Sequence, residues 1–206
     1  MSTRDDTEGR SATPTGPRPR HSKKHTRDTI RAVALRLFTE QGFKRTTVEQ
    51  IAREVGVSHM TVFRHFPTKE MIILDDGLGP RMEELMRGLP KGLPIFDLTR
   101  QLVTGLYALG TADPWARNAQ RRQLIDNEPE LRAAAQAQGD HSFGNLARFF
   151  AEYTGREPDE LAVRVFTAAL TGVLLHVMTY IDDLLQPGTL DEMIRAIDLL
   201  EQGLPL

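Results

Sequence analysis

The sequence contains no cysteine among its 206 residues. Disulfide bonds and thiol catalysis are therefore excluded, and the composition fits a reducing compartment such as the cytoplasm. The N-terminus is polar and charged, and it lacks the apolar core of a secretory signal peptide. Both absences predict a cytoplasmic protein.

The chain also lacks the short motifs that mark common catalytic and metal sites. We find no histidine and glutamate motif with zinc-ligand spacing, no glycine-rich phosphate loop, and no recognisable spacing of serine, histidine and aspartate. We therefore expect no catalytic residue, no metal and no cofactor, and we predict that the protein is not an enzyme.

No stretch of useful length alternates apolar and polar residues, which predicts an all-α protein. The longest uncharged run, residues 165–181, includes three threonines, a glycine and a histidine. A membrane span needs about 20 predominantly apolar residues. We therefore predict no membrane span, but a helix that is buried on nearly all sides.

Charge of either sign is unevenly distributed along the chain. Residues 1–66 hold 13 basic and 7 acidic residues, whereas residues 67–206 hold 13 basic and 21 acidic residues. A basic N-terminal part on an acidic body is typical of a DNA-binding head joined to a body that does not bind DNA.

Residues 1–25 contain almost no apolar residue and are rich in Ser, Thr, Pro, Gly and Arg, so we predict a disordered basic tail. Its last cations, including Arg18, Arg20, Lys23 and Lys24, are compatible with an arm that contacts DNA. They are also compatible with a solvated tail, which is the interpretation that we favour.

The most informative segment is residues 45–66, which predicts two short helices joined by a tight turn. Thr47 is a good N-cap, and Gln50 three residues later completes a capping-box pattern. Gly56 ends the first helix, and Ser58 caps the second. This is the helix-turn-helix arrangement that places a second helix in the DNA major groove, although a plain helical hairpin inside a bundle gives the same pattern.

The body predicts six further helices. One runs from Lys69 to near Gly88, and a second covers residues 95–109. Asp113-Pro114, Glu128-Pro129 and Glu157-Pro158 each open another helix, the last of them reaching about Leu185. A capping box at residues 189–192 opens the final helix. The predicted fold is all-α, with a three-helix head at residues 26–68 and a body at residues 69–206.

A series of short motifs runs from Thr26 to about Ile73 in a fixed order. The motifs are Leu37-Phe38 with Gly42-Phe43, Thr46-Thr47-Val48, Ile51-Ala52, Val55-Gly56-Val57-Ser58, Thr61-Val62-Phe63-Arg64-His65-Phe66 and Lys69-Glu70. In combination they resemble the N-terminal domain of the TetR family of one-component repressors. The resemblance implies a transcriptional regulator that binds a palindromic operator in double-stranded DNA as a homodimer.

The same resemblance implies which residues contact DNA. Thr47 and Lys69 are expected on phosphates near helix N-termini, and residues 58–65 on bases and phosphates. Phe63 stands where the family usually has tyrosine, so the hydroxyl bond to phosphate is lost here. The predicted DNA-binding set is Arg45, Thr46, Thr47, Ser58, His59, Met60, Thr61, Phe63, Arg64, His65 and Lys69.

The apolar helix near the C-terminus predicts a dimer interface, since its small residues allow two helices to approach closely. In the TetR family the last two helices of each subunit form a four-helix bundle across a two-fold axis. The predicted interface comprises Val165, Ala168, Ala169, Gly172, Val173, Ile194 and Ile197. The alternative is a monomeric bundle whose core absorbs this helix.

Large side chains in the body helices are candidates for a pocket, and Gly105 and Gly144 inside predicted helices leave space for a ligand. The segment from Arg121 to Ala133 resembles the C-terminal domain of mycofactocin-type and acyl-CoA-responsive TetR regulators. That resemblance implies a small apolar or amphipathic effector, with an acyl thioester as the leading candidate. The predicted pocket residues are Met82, Phe96, Leu106, Trp115, Arg121, Arg122, Phe143, Phe150 and His176. Ordinary core packing, with both arginines solvated, is the alternative.

The sequence therefore predicts a DNA-binding transcriptional regulator, with a ligand-released repressor as the main hypothesis. An architectural DNA-binding protein without small-molecule control is one alternative, and an activator of the same architecture is another. The position of the operator relative to a promoter, which separates repressor from activator, is not encoded in this chain.

Overall fold

The structure is a computed structural model that describes residues 23–179 and 185–205. Within these ranges the chain forms helices and no strand, which confirms the all-α prediction. The ten helices are α1 (Lys23–Gln41), α2 (Val48–Val55), α3 (His59–His65), α4 (Met71–Leu74), α5 (Gly79–Gly88), α6 (Ile95–Ala112), α7 (Ala119–Asn127), α8 (Pro129–Thr154), α9 (Leu161–Thr179) and α10 (Thr189–Glu201).

The N-terminal head consists of α1 to α4 around one apolar core. Ile30, Phe38, Ile51 and Phe66 are each at most 1% exposed. The rings of Phe38 and Phe43 lie 4.9 Å apart at a tilt, a favourable arrangement for two aromatic side chains. The predicted apolar faces of the first two helices therefore meet inside the head.

Part of the body contributes to this core. Leu131 on α8 is fully buried in the same cluster, and Trp115, Leu124 and Ile125 pack against it while remaining partly exposed. The head is therefore closed by side chains from residues 115–131, and its packing extends past the predicted boundary between residues 68 and 69.

The body has a second core between α6, α8, α9 and α10. Leu102, Phe150, Leu170 and Ile197 are buried there. Arg100 on α6 donates hydrogen bonds to Asp198 and Glu201 on α10, which ties the two helices together at the surface.

The predicted single helix from Lys69 to Gly88 is wrong, because the chain breaks between α4 and α5. The carboxylate of Asp75 accepts from the backbone N–H of Gly77 at 2.7 Å, and Asp76 accepts from Leu78 at 2.9 Å. Gly77 has φ of +74°, a left-handed conformation that glycine adopts without steric cost. These two aspartate turns compete with the helix and end it. The described part of the chain thus holds ten helices, where nine were predicted.

Several other predicted helix starts shift by a few residues. Residues 114–117 form turns because Asp113 accepts from the N–H groups of Trp115 and Ala116, and α7 begins only after Asn118. Similarly, α9 begins at Leu161 and not at Pro158. The first helix begins at Lys23, inside the predicted tail, whose residues 1–22 lie outside the described residues. The predicted end of α9 near Leu185 also falls partly outside them.

The predicted capping box at residues 189–192 is also wrong. The N-cap of α10 is Gly188, and Thr189 is buried with its hydroxyl donating to the carbonyl of Gln186 at 2.9 Å. Because Gly188 is the N-cap, Thr189 is already the first helical residue, and the N–H of Glu192 donates to the carbonyl of Gly188 at 2.9 Å.

Helix α9 is far less buried than its sequence predicts. It is long and apolar enough to match a membrane span by length and composition, with a mean hydropathy of 1.8 over Leu161–Met178, yet only 22% of that window is buried. Leu161 is 71% exposed and Val165 is 57% exposed. One protomer alone therefore leaves an apolar face of this helix open.

Candidate nucleic-acid interface

The helix-turn-helix is built by side-chain caps and one left-handed glycine. The hydroxyl of Thr47 accepts from the N–H of Gln50 at 3.2 Å, and that of Ser58 accepts from Thr61 at 3.2 Å, which confirms both predicted N-caps. Gly56 has φ of +78°, so the chain reverses between the helices. The side chain of Gln50 does not complete the predicted box, because its oxygen accepts from Gln41.

Helix α3 buries one face and exposes the other. Val62 is fully buried against the head core, and Phe66 just after the helix is also fully buried. On the outer face Met60 is 59% exposed and Phe63 is 38% exposed. His59 and Arg64 are exposed beside them, and Thr61 and His65 are half-buried. This outer face carries the hydrogen-bonding, cationic and apolar groups that read base edges and phosphates.

Two of the predicted DNA contacts are engaged inside the head. Thr46 is 1% exposed, and its hydroxyl donates to the carbonyl of Gly42 at 2.9 Å, so its side chain is structural and cannot reach a phosphate. The ammonium of Lys69 donates to the carbonyl of Phe43 at 2.6 Å and lies 4.0 Å from the centre of the Phe43 ring. Burial lowers the pKa of Lys69 from its ordinary value.

The other predicted contacts at the start of the motif lie at the surface. Thr47 and Arg45 are exposed, and the Nε of Arg45 donates to the carbonyl of Gln41 at 2.6 Å. Ser58 is exposed as well. They share the N-terminal ends of α2 and α3, where free backbone N–H groups favour phosphate oxygens.

The end of α3 is surrounded by cations. The guanidinium groups of Arg27 and Arg31 lie over the Phe66 ring at 4.9 and 5.6 Å. Burial, followed by the nearby charges of Arg27, Arg64 and Lys23, lowers the pKa of the His65 imidazole. His65 is therefore held in its neutral form at neutral pH.

Head and body meet at a cluster of three arginines, one aspartate and one tryptophan, which we term the junction cluster. Its members are Arg27, Arg31, Asp75, Trp115 and Arg121. Arg27 pairs with the Asp75 carboxylate, and Arg31 donates to the Asp75 carbonyl. The guanidinium of Arg121 donates to the carbonyls of Ile73 at 2.6 Å and Leu74 at 2.8 Å. The last turn of α4 is thus bonded to α1 of the head and to α7 of the body.

The indole of Trp115 belongs to the same cluster. Arg31 lies 5.2 Å and Arg121 lies 5.6 Å from the centre of its ring. Desolvation by burial is the main cause that lowers the pKa of each of these two arginines. Arg27, Arg31 and Asp75 were not among the predicted site residues, although arginines at i and i+4 place two guanidinium groups on one face of α1.

The structure divides the predicted dimer residues into two groups. Val165, Ala168 and Gly172 lie on the exposed face of α9, together with Leu161 and Leu175, at spacings of three and four residues. Ala169, Val173 and Ile194 are half-buried. The prediction that Ile197 lies at the dimer interface is wrong, because this residue is fully buried within the protomer and belongs to the body core.

The predicted pocket residues are not gathered around one cavity. A groove of about 700 Å³ runs between α1 and residues 113–120 and is lined by Trp115. A second groove of about 600 Å³ lies between α5 and α8. The remaining predicted pocket residues line neither groove: Met82, Phe96, Leu106, Arg121, Arg122, Phe143, Phe150 and His176.

Core packing accounts for several of those residues. Phe150 is 1% exposed, and Phe166 lies edge-on to both Phe150 and Phe96 at 5.0 and 5.5 Å. Gly105 does not leave space for a ligand, because a Cβ there would lie 2.6 Å from the Leu85 side chain. It permits close packing of α5 on α6. A Cβ at Gly144 would meet no atom within 4 Å, so this position faces open space.

The head and the body each match a known family of protein domains. The family model of bacterial regulatory proteins of the tetR family matches residues 30–75, and that of the MftR C-terminal domain matches residues 93–205. The HTH-type transcriptional regulator TcmR of Streptomyces glaucescens is 32% identical over 75% of this chain and 72% of its own. The chain belongs to the TetR family.

A second relative and a solved structure of the same fold are also similar to this chain. A regulator named for mycofactocin biosynthesis, MftR of Mycobacterium tuberculosis, is 26% identical over 71% of this chain and 74% of its own. The fold matches the transcriptional regulator FadR of Bacillus subtilis, solved in complex with stearoyl-CoA, with a TM-score of 0.56 and 18% identity over 85% of this chain and 98% of that one. The chain is therefore a DNA-binding transcriptional regulator, as the helix-turn-helix predicts.

Proposed function

We propose that this regulator is a repressor that binds a palindromic operator as a homodimer and is released by a small amphipathic effector. The outer face of α3 is the observation that carries the DNA-binding part. It presents His59, Met60, Phe63 and Arg64 to solvent on a helix whose opposite face is fixed in the head core.

The exposed stripe of α9 supports the homodimer. A single α3 contacts few base pairs, so two heads on a two-fold axis are needed to read an inverted repeat. Val165, Ala168 and Gly172 form the centre of the stripe, and pairing it with its copy removes a large apolar surface from water. With this face paired, the protein needs no membrane, and we assign it to the cytoplasm.

The effector is proposed from the fold and from the chemistry of the body. FadR of Bacillus subtilis has the same fold and was solved with stearoyl-CoA, which favours an acyl thioester among the candidates. The aromatic cluster of Phe96, Phe150 and Phe166 provides an apolar wall between α6, α8 and α9. We propose that an acyl chain enters beside these rings by displacing packed side chains.

Release of the regulator from DNA follows from thermodynamic linkage between the effector site and the DNA-binding site. The last turn of α4 is bonded to head and body at once through the junction cluster. An effector that moves α7 or α8 therefore moves the heads relative to each other, and their spacing no longer fits the two half-sites. An effector acts only to the extent that it binds the two states with different affinity.

The first experiment is selection of bound sequences from random duplex DNA with the full-length dimer. The expected result is an inverted repeat, bound by the wild type and released by stearoyl-CoA in a fluorescence anisotropy titration. An Arg64→Ala variant serves as the matched control for the recognition face.

The other possible outcomes of this experiment distinguish the alternative functions. Recovery of no motif, with affinity that falls steeply as salt rises, overturns the sequence-specific regulator in favour of an architectural protein. An inverted repeat that stearoyl-CoA leaves bound rejects the acyl thioester and keeps the regulator. An operator upstream of a promoter that the protein stimulates makes it an activator.

A further inference from the structure

Three buried N–H donors near the head–body junction have no acceptor. Among the described residues, four buried side-chain polar atoms lack a hydrogen-bond partner, and three of these are Nε of Arg31, Nε1 of Trp115 and Nε of Arg117. A buried donor without an acceptor destabilises the fold relative to a bonded one. Three such donors together indicate a site that is short of acceptor oxygens.

Two of the residues that carry these donors, Arg31 and Trp115, line the groove of about 700 Å³. One wall is the outer face of α1, and the other is the turn around Trp115. Ala32, Leu35 and Pro114 give it an apolar lining, whereas Lys24, Arg31 and Gln120 are polar. Its volume is within the range of about 300–1,000 Å³ that small-molecule sites occupy.

The carboxylates near Arg31 do not supply the missing acceptor. Asp75 is paired with Arg27, and Asp113 accepts from two backbone N–H groups. Asp28 lies 3.9 Å from Arg31 at the rim, which is too long for a hydrogen bond, and its side chain is 54% exposed. The last acid of the groove, Glu40, is paired with Arg36.

We propose that this groove is a binding site for a small amphipathic carboxylate. Its carboxylate accepts from Arg31 and Trp115, and its apolar part lies along Ala32, Leu35 and Pro114. Arginine and an indole N–H are suited to a carboxylate because the anion strengthens each hydrogen bond. The site is distinct from the aromatic cluster of the body, with which it shares no residue.

Binding at this site acts on the recognition helix directly. The Arg31 guanidinium lies 5.2 Å from the centre of the Trp115 ring and 5.6 Å from that of Phe66, and Phe66 is the residue that ends α3. Since the donors are closed to solvent, a carboxylate reaches them only when the side chains of Arg31 and Trp115 turn toward the groove. That movement withdraws Arg31 from Phe66 and loosens the end of α3.

Tryptophan fluorescence tests the site without DNA, because Trp115 is the single tryptophan of the chain. The probes are sodium decanoate, its methyl ester and sodium acetate, each below any micelle concentration. We expect saturable change in Trp115 emission with decanoate and binding weaker by about tenfold or more with the methyl ester, which lacks the charge. No saturable change with decanoate, or equal affinity for the ester, overturns the proposal.

Two matched variants locate the binding. Ala32→Phe fills the groove from an exposed position on α1, and Ala133→Phe adds the same ring at an exposed position on α8 outside it. Decanoate affinity is expected to fall about tenfold in the first variant, as steric exclusion requires, and to stay unchanged in the second. Equal affinity in both variants means that decanoate binds elsewhere, and the groove assignment is then wrong.

The link to DNA is a separate readout, and it rests on the proposed function. With the selected operator, decanoate is expected to weaken DNA binding of the wild type and to leave Ala32→Phe unaffected. If decanoate binds the groove and operator affinity is unchanged, the site stands and its action on α3 is rejected. If no operator exists, the fluorescence titration still decides the site.

Discussion

The head and helix α9 bury their apolar residues by different means. In the head, Ile30, Phe38, Ile51 and Val62 are covered by the same chain, with Leu131 of α8 completing the core. On α9, Leu161 and Val165 remain 71% and 57% exposed. The first region is complete in one protomer, whereas the second is the surface that we propose as one half of the dimer interface. In one protomer, the apolar core of the head is therefore fully covered, whereas the body leaves an apolar face of α9 exposed.

Separate family models match the two regions, one over residues 30–75 and the other over residues 93–205. The junction cluster lies where the head and the body meet.

The largest expected effect comes from removing the body residue that closes the head. Leu131→Ala deletes a fully buried side chain, and we expect the free energy of unfolding to fall by about 2–5 kcal/mol. Chemical denaturation followed by circular dichroism measures it. Leu199→Ala, at a site that is 41% exposed, is the control and should change little. Equal losses in both variants would show that the head does not depend on α8.

The next largest effect is expected on dimerisation through the exposed stripe of α9. Val165→Asp places a carboxylate in the centre of the α9 stripe, and burying it unpaired in a dimer raises the dissociation constant by roughly two orders of magnitude. Sedimentation velocity over a concentration series measures this. Gln101→Asp adds the same charge at an exposed site on α6. A dimer of unchanged affinity in the Val165 variant would move the interface away from α9.

A smaller effect is expected from a substitution on the outer face of α3. Arg64→Ala should weaken operator binding about tenfold and reduce the slope of log affinity against log salt by about 1 if Arg64 contacts phosphate. Dimerisation and melting temperature should be unchanged, since Arg64 is exposed. Arg87→Ala on α5 removes an exposed charge from the body and serves as the control. Unaltered DNA affinity at moderate salt would remove Arg64 from the interface.

The smallest effect is the pH dependence of the head. The pKa of His65 is lowered from an ordinary value near 6.5, first by burial and then by Arg27, Arg64 and Lys23. The unfolded chain therefore binds the proton more readily than the folded one. The free energy of unfolding is therefore highest above the unfolded pKa of His65, where the imidazole is neutral in both states. It falls as the pH drops through the unfolded pKa and then through the lower folded pKa.

Thermal melts of the free protein between about pH 7.5 and pH 5.5 measure this dependence. The wild type should lose more stability on acidification than His65→Gln, which has no titrating group at that position. Parallel curves for the two proteins would show that His65 is equally easy to protonate in the folded and unfolded states.

The local pattern of the head was predictable because short-range chemistry determines it. Thr47, Gly56 and Ser58 act on residues within a few positions of themselves, and the caps and the left-handed turn are formed as predicted. The prediction was wrong at Thr46, which is buried, and at the break after α4. Both depend on which partners surround a polar side chain: Gly42 for Thr46, and Gly77 and Leu78 for Asp75 and Asp76.

Long-range contacts were much less predictable. Arg121 was expected at a ligand or in solvent, yet its guanidinium is bonded to the carbonyls of Ile73 and Leu74, which lie 48 and 47 residues away. Ile197 was expected at the dimer interface, yet the protomer buries it completely. An apolar residue at helical spacing predicts a buried face, but it does not specify whether the same chain or a second copy covers that face.

The sequence by itself determined the helical class, the helix-turn-helix and the family, because periodicity, caps and a left-handed glycine act over a few residues. Only the tertiary structure decided that Leu131 and Trp115 close the head, that Arg31 lies near the rings of Phe66 and Trp115, and that α9 keeps one apolar face open. Those features join residues far apart in the chain. Their energies come from burial and from buried hydrogen bonds, which exist only after the helices have packed.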